Sequence, residues 1–207
     1  MPYQHKTTCE TSFQGHPIQA YPERELDCLT AILRRMRDIF SDMTGRHCRV
    51  TLFRFDLHFP ADKVCPSDNE LIRRAISNLV LHARRDGVDV RYLWAREDTD
   101  GGRCHWHLAL WLDGSKVVRA FHWLRLLENL WSQALGLAEG EGKGLVEHCP
   151  AIVGDKSTDG LMLVRGAPEF QETLDHGVYW VSYLSKSRGK ESTPAGASCF
   201  GGSQARP

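Results

Sequence analysis

Between residues 22 and 43, in PERELDCLTAILRRMRDIFSDM, apolar side chains return at Leu26, Leu29, Ile32, Leu33, Met36 and Ile39, a helical spacing behind a proline-and-acid start. The period then drops to two. In CRVTLFRFDLHF, Thr51, Phe53, Phe55, Leu57 and Phe59 face one way while Val50, Leu52, Arg54, Asp56 and His58 face the other, which predicts a strand with a polar end on one face. Helical spacing resumes from Ser67 to Arg85 through Leu71, Ile72, Ala75, Leu79 and Val80, opening at a Ser or Asp cap and closing near Gly87. VDVRYLWARE and CHWHLALWLD are short apolar runs joined by DTDGGR, a hairpin signal. A further helix spans about Lys116 to Leu135 and stops at Gly136. GLVEHC and GLMLVR are strand candidates of open order, and a last helix runs from near Pro168 through FQETLDHGVYWVSYLSK, with Gly177 as a weak point.

Taken in order, these elements predict an α+β fold: a ferredoxin-like (βαββαβ) antiparallel sheet with helices on one face, the other face left free for a ligand, plus a C-terminal tyrosine-bearing helix. At 207 residues the chain is long enough for one sizeable core. Residues 1–20 are polar and aperiodic and are expected to form a mobile arm. The closing stretch SRGKESTPAGASCFGGSQARP is rich in Gly, Ser and Pro, which bounds the domain at 21–187 and makes 188–207 a disordered tail.

Charge and cysteine content narrow the setting. The 26 basic and 26 acidic residues balance, so nucleic-acid binding has to come from a local patch, for which Arg73, Arg74, Arg84, Arg85, Arg91 and Arg96 are the candidates. No run is apolar enough to span a bilayer and no signal-like segment appears, so a cytoplasmic protein without a membrane partner is expected. Seven cysteines at scattered spacings, without a C-x-x-C pair, argue for reduced, structural thiols rather than a disulfide framework or zinc ribbon.

The chemistry concentrates in two places. On the strand CHWHLALWL, His105 and His107 share a face with Ala109, while Cys104, Trp106, Leu108, Leu110 and Leu112 take the opposite, core-facing side. Two imidazoles about 7 Å apart along the strand can converge on one divalent ion. Glu97, at the end of the preceding strand, is the first candidate for a third ligand; a different hairpin loop would bring Asp98 opposite His105 instead, and Asp56 and His58 stand in reserve. Two nitrogens and a carboxylate suit Mg²⁺, Mn²⁺ or Zn²⁺ held for catalysis.

In YWVSYLSK, Tyr179, Tyr183 and Lys186 fall at i, i+4 and i+7, one face of a helix. A tyrosine hydroxyl can attack a phosphodiester and retain the bond as a phosphotyrosine, with a lysine stabilising the developing charge. Two tyrosines a turn apart can act in succession.

Together, His105-Trp106-His107 and Tyr179, Tyr183 and Lys186 in Tyr-x-x-x-Tyr-x-x-Lys resemble the motifs of the HUH endonucleases, the rolling-circle replication initiators and relaxases. YLWARE, HWHLALWLDG, LWSQALGL and GVYWVSYLSK are similar to segments of the inovirus gene II type replication proteins, grouped with the YagK/YfjJ C-terminal domain of phage and prophage origin, over about Arg46 to Lys190. The resemblance implies a nickase that uses Mg²⁺ or Mn²⁺, cuts one DNA strand, frees a 3′-hydroxyl and stays attached to the 5′-phosphate. His105, His107 and Glu97 would be metal ligands, Tyr183 the first nucleophile, Tyr179 the second, and Lys186 a contact to phosphate or metal-bound water. Implied partners are single-stranded DNA or a supercoiled origin, with a host helicase and polymerase, in the cytoplasm of a bacterial host. A non-catalytic nucleic-acid binder or prophage relic, stacking bases on Phe53 or Trp111, is the alternative, and a small-phosphoester hydrolase using water is a third reading.

Overall fold

The computed structural model describes residues 6–24, 26–98, 103–138 and 140–204. Among these, β1 (Thr7–Thr8), β2 (Ser12–Phe13), β3 (His16–Pro17) and β4 (Cys28–Leu29) are two-residue strands, β1 pairing with β4 and β2 with β3. Then follow α1 (Thr30–Arg46), β5 (Arg49–His58), α2 (Glu70–Arg85), β6 (Val90–Asp98), β7 (Cys104–Asp113) and α3 (Phe121–Leu135). The chain continues through β8 (Val146–Cys149), β9 (Ala151–Val153), β10 (Lys156–Thr158), β11 (Leu161–Val164), α4 (Phe170–Ser182), a 3₁₀ turn at Tyr183–Ser185 and β12 (Phe200–Gly202). The protein is thus mixed α/β, with antiparallel sheets and, among the described residues, four α-helices.

The main sheet runs β11-β5-β7-β6-β12, every pair antiparallel, with β8 also on β5. The two strand candidates whose order the sequence left open share one edge of β5. Leu161–Val164 pairs with Arg49–Leu52 and Val146–Cys149 with Arg54–Leu57. Between them Gly160 crosses against β5, where a Cβ would sit 2.5 Å from the Leu52 carbonyl oxygen and from the Phe53 ring, so the crossing demands glycine.

Alternation on the strands builds two cores. Phe53, Phe55, Leu57, Trp106, Leu108, Leu110 and Leu112 pack under α2 and α3; Val50, Leu52, Leu93, Ala95, Ala109 and Trp111 pack under α1 and α4. Helices therefore cover both faces, against the expected one. The reason is α1, whose buried stripe Ile32, Leu33, Met36, Ile39, Phe40 and Met43 lies on the second face, with Phe40 edge-on to Trp111 at 5.1 Å between ring centroids. Helix α1 also begins later than the proline-led pattern predicts: Cys28 and Leu29 are drawn into pairing with Thr7 and Thr8.

Both end segments carry packed residues despite their aperiodic composition. Ile18 and Ala20 join the α1 core, and Phe200–Gly202 pairs with Leu93–Ala95 as an outer strand. Cys65 and Cys104 are joined as a disulfide with Cα atoms 5.9 Å apart, correcting the expectation that all thiols are reduced. The bridge ties the segment after β5 to β7, a pairing across 39 positions that spacing alone does not reveal. No described helix is long and apolar enough to cross a membrane.

Candidate metal centre and tyrosine site

Strand register assembles the site. In the β6–β7 hairpin Glu97 stands opposite His105 and Ala95 opposite His107, while β5 brings Asp56 opposite His107 and His58 opposite His105. Because each of these positions has the same parity relative to its partner, the acids and imidazoles converge on the α4 face. His107 donates from Nδ1 to Asp56 Oδ1 at 2.6 Å, which turns its Nε2 toward Glu97 Oε1, 3.3 Å away. His105 Nε2 lies 3.2 Å from His107 Nε2 and 3.5 Å from Glu97 Oε2. These three ligating atoms fall within 4.8 Å of one another, a two-nitrogen, one-oxygen set that suits a divalent ion, with Asp56 fixing the tautomer of one imidazole from behind.

The other candidates have different partners. Asp98 is opposite Cys104, on the reverse side of the hairpin, where both of its oxygens accept from Arg96; with Cys65 and Cys104 it forms a second group of potential ligands, whose two sulfurs are bonded to each other. His58 stacks on His105 with centroids 5.9 Å apart, and its Nε2 is 3.6 Å from Glu147 Oε2. The hairpin turn whose length the sequence left open, residues 99–102, lies outside the described residues.

The tyrosine helix reaches the histidines at its end. Helix α4 gives way to a 3₁₀ turn at Tyr183, whose ring meets that of His107 edge-on, centroids 5.1 Å apart. Lys186 Nζ donates to the Tyr183 hydroxyl at 2.6 Å and sits 3.1 Å from Glu97 Oε2, so one ammonium bridges phenol and carboxylate. The Arg54 guanidinium, 4.8 Å from the Tyr183 ring centroid, covers the ring and donates to the Trp180 carbonyl at 3.0 Å. Tyr179 has another neighbourhood: its hydroxyl is 2.8 Å from that of Tyr21, and it lines a groove of about 560 Å³ with Pro17, Ile152 and His176. That bond, with burial adding to it, pushes the Tyr179 phenol up to about 12.

A second ammonium completes the cluster. Lys190 Nζ lies 3.0 Å from Glu97 Oε1 and 2.7 Å from the Lys186 carbonyl oxygen. Gly189, at φ +79°, makes the turn that delivers it and accepts the Asp98 amide at 2.8 Å. Sequence reasoning missed Lys190 because it lies in a polar tail with no period, and missed Arg54 and Tyr21 for want of a motif. The proposed basic patch is also revised: Arg91 and Arg96 are buried in ion pairs with Asp42, Asp89 and Asp98. Phe53 and Trp111 are fully buried, which removes both as stacking platforms.

Electrostatics follow from this packing. Burial resists ionisation of Glu97, but its contact with His107 and the charges of Lys190 and Lys186 outweigh it and hold the carboxyl well below its usual range. Asp56 is likewise held down: burial opposes its charge, and the His107 bond overcomes the opposition. Burial, reinforced by His107, pushes His105 down to about 4, leaving its imidazole neutral and able to donate a lone pair at neutral pH.

All three shifts make the protein less stable in acid. Between the ordinary histidine value of 6.5 and about 4, an unfolded chain takes a proton at His105 that the folded chain refuses; below the usual carboxylate values the same holds for Glu97 and Asp56. The melting temperature of the metal-free protein is therefore expected to fall as pH drops from 7 to 4, and His105→Gln to flatten the part of that slope above pH 4. An identical slope in variant and wild type would contradict the assignment of that proton to His105.

Comparison with known proteins adds a family. The family model described as the YagK/YfjJ C-terminal domain matches residues 10–203. The uncharacterized protein YagK of Escherichia coli K12 is 25% identical over 177 residues, covering 72% of this chain and 80% of that protein. Among solved structures, the N-terminal nuclease domain of minute virus of mice non-structural protein 1, described with Zn²⁺ coordination in its active-site pocket and DNA recognition at the replication origin, aligns at a TM-score of 0.33 and 13% identity. That alignment covers 72% of this chain and 98% of the viral one, at a similarity too low to carry chemistry across.

Proposed function

The chain belongs to the YagK/YfjJ C-terminal domain family, and from that premise we propose that it is an HUH-type endonuclease, a metal-dependent enzyme that nicks and transfers single DNA strands. The observation that carries the reading is the Lys186 ammonium shared between the Tyr183 hydroxyl and Glu97 Oε2, beside the His105 and His107 pair. An ordinary surface tyrosine has no use for a buried carboxylate and two converging imidazoles.

Glu97, His105 and His107 would hold a divalent ion, Mg²⁺ or Mn²⁺ in this reading, and a set of two nitrogens and one carboxylate oxygen fits a divalent ion with open positions. When bound, the ion supplies polarisation of the scissile phosphate. Asp56 keeps the His107 ring turned toward the site through its Nδ1. Lys186 holds the Tyr183 oxygen and stabilises it as the phenol proton passes to solvent, from which the departing 3′-oxygen regains one, and Arg54 adds positive charge over the ring face. The Tyr183 oxygen then bonds to phosphorus while the bond from phosphorus to the 3′-oxygen breaks. That oxygen takes a proton and departs as a free 3′-hydroxyl, leaving the 5′-phosphate on Tyr183. Attack by another 3′-hydroxyl reverses the step and transfers the strand; Tyr179 would serve as the second nucleophile.

The strand order and the connections through α2 and α3 support a ferredoxin-like core, extended by α1 and α4. The setting that fits this chemistry is a replication initiator of the inovirus gene II type, in a phage or prophage within the bacterial cytoplasm. Its partners would be single-stranded DNA or a supercoiled origin, with a host helicase and polymerase. The burial of Phe53 and Trp111 weighs against the alternative of a base-stacking binder built on those residues. Incubating the protein with an end-labelled pool of single-stranded DNA and Mn²⁺, then resolving it on a denaturing protein gel, is expected to give a labelled adduct that disappears with chelator. Mn²⁺ binding without any adduct across a broad pool would overturn the endonuclease reading.

A further inference from the structure

Lys190 is 3% exposed, and nothing in the strand-cleaving step requires it. Its position is nevertheless tightly specified. Its amide donates to the Ser187 carbonyl at 3.0 Å, its carbonyl accepts from Thr193, and Nζ reaches both Glu97 Oε1 and the Lys186 carbonyl oxygen. Each oxygen of Glu97 thus carries one ammonium: Lys190 on Oε1 at 3.0 Å and Lys186 on Oε2 at 3.1 Å. The two lysines differ in freedom, since the Lys186 side chain is 21% exposed and that of Lys190 only 1%. Lys186 has room to move off the carboxylate; Lys190 is sealed in place.

We propose that Lys190 is a positioning residue that sets the metal affinity of the site, acting as a built-in counter-ion to Glu97. The inference rests on the metal-centre reading above. With one lysine on each of its oxygens, Glu97 is already partnered before any ion enters, so the metal-free protein folds without a stranded buried carboxylate. A divalent ion held by Glu97, His105 and His107 would compete with Lys186, whose side chain has room to move, and would face the fixed charge of Lys190 on Oε1. Affinity is lowered accordingly, and the excess positive charge is relieved only when a DNA phosphate arrives. Lys190 thereby couples loading of the metal to the presence of the substrate backbone.

The test is calorimetric titration of Mn²⁺ into wild type, Lys190→Met and Lys190→Gln without DNA, with circular dichroism to verify the fold. Lys190→Met keeps the aliphatic stem without the charge, and Lys190→Gln retains a donor toward Glu97 without the charge. Both are expected to bind Mn²⁺ roughly tenfold more tightly than wild type or better, given the strength of charge interactions at partly buried sites. A single-stranded oligonucleotide should tighten Mn²⁺ binding by wild type and have little effect on the variants. Unchanged or weaker affinity in a folded variant would overturn the role assigned to Lys190 while leaving the metal centre standing. Absence of Mn²⁺ binding by wild type and both variants would instead bring down the metal-centre reading itself.

Discussion

Tyr183→Phe is expected to eliminate the covalent DNA adduct, with a loss of at least about 10³-fold in cleavage, while Tyr179→Phe keeps it within a few-fold of wild type. The contrast follows from what each hydroxyl touches. Removing the Tyr183 oxygen takes away the acceptor that Lys186 holds at 2.6 Å, yet the ring keeps its contacts with His107 and Arg54, so the fold and Mn²⁺ binding should persist. Removing the Tyr179 oxygen breaks a bond to Tyr21 at a partly exposed position, away from the ammonium that would stabilise a phenolate. A phenol pushed up to about 12 by that bond also resists ionisation. Measuring adduct yield for both variants under one Mn²⁺ concentration decides the matter. An adduct that survives Tyr183→Phe and vanishes in Tyr179→Phe would exchange the two roles and undo the assignment of first nucleophile. A strand-transfer defect confined to Tyr179→Phe would fit its proposed part as second nucleophile.

The second large effect is expected from Glu97→Gln, which should weaken Mn²⁺ binding at least about 100-fold and destabilise the metal-free protein by about 3–5 kcal/mol. The first effect would come from losing the carboxylate of the three groups proposed to hold the ion. The second comes from Lys190: with Glu97 replaced by a neutral amide, an enclosed ammonium loses its countercharge and keeps only neutral acceptors, the Lys186 carbonyl among them. Lys186 can turn to solvent and should cost little. Urea unfolding would measure the destabilisation. Adding Lys190→Met to Glu97→Gln is expected to recover much of it, because the unpaired charge is then removed as well. Equal stability of Glu97→Gln and wild type would mean that Lys190 does not depend on Glu97 for its place in the interior.

How much of this could be read in the chain depends on whether a signal is local. The alternation through Cys104–Asp113 is local, so it separated Trp106, Leu108, Leu110 and Leu112 from His105 and His107 without any knowledge of neighbours. The position of Glu97 opposite His105 is a matter of hairpin register, which shifts by one residue with the loop and therefore left Asp98 in play. The side of the sheet that α1 covers is not local at all. Its apolar stripe marks it as a packed helix, but its destination opposite α2 and α3 is decided by the tertiary fold. The same holds for the Cys65–Cys104 bond and for Lys190, which stands among Gly, Ser and Pro residues whose composition resembles that of a loose tail. Tyr183 and Tyr179 share a helical spacing, yet the switch from α to 3₁₀ geometry at Tyr183 and the reach of Tyr21 give their hydroxyls different partners.

The way β5 is shared between two short neighbours bears on how this protein behaves at high concentration. On that side of the sheet the outer rim consists of β8 and β11, four residues each, broken by the crossing at Gly160; on the far side β12 covers β6 with three residues. A growing aggregate of sheets needs a long, uninterrupted row of free amides and carbonyls to template the next chain, and among the described residues neither rim supplies one. Short, interrupted rims of this kind disfavour edge-to-edge pairing between copies of a protein whose central strands carry Trp106, Trp111 and two phenylalanines.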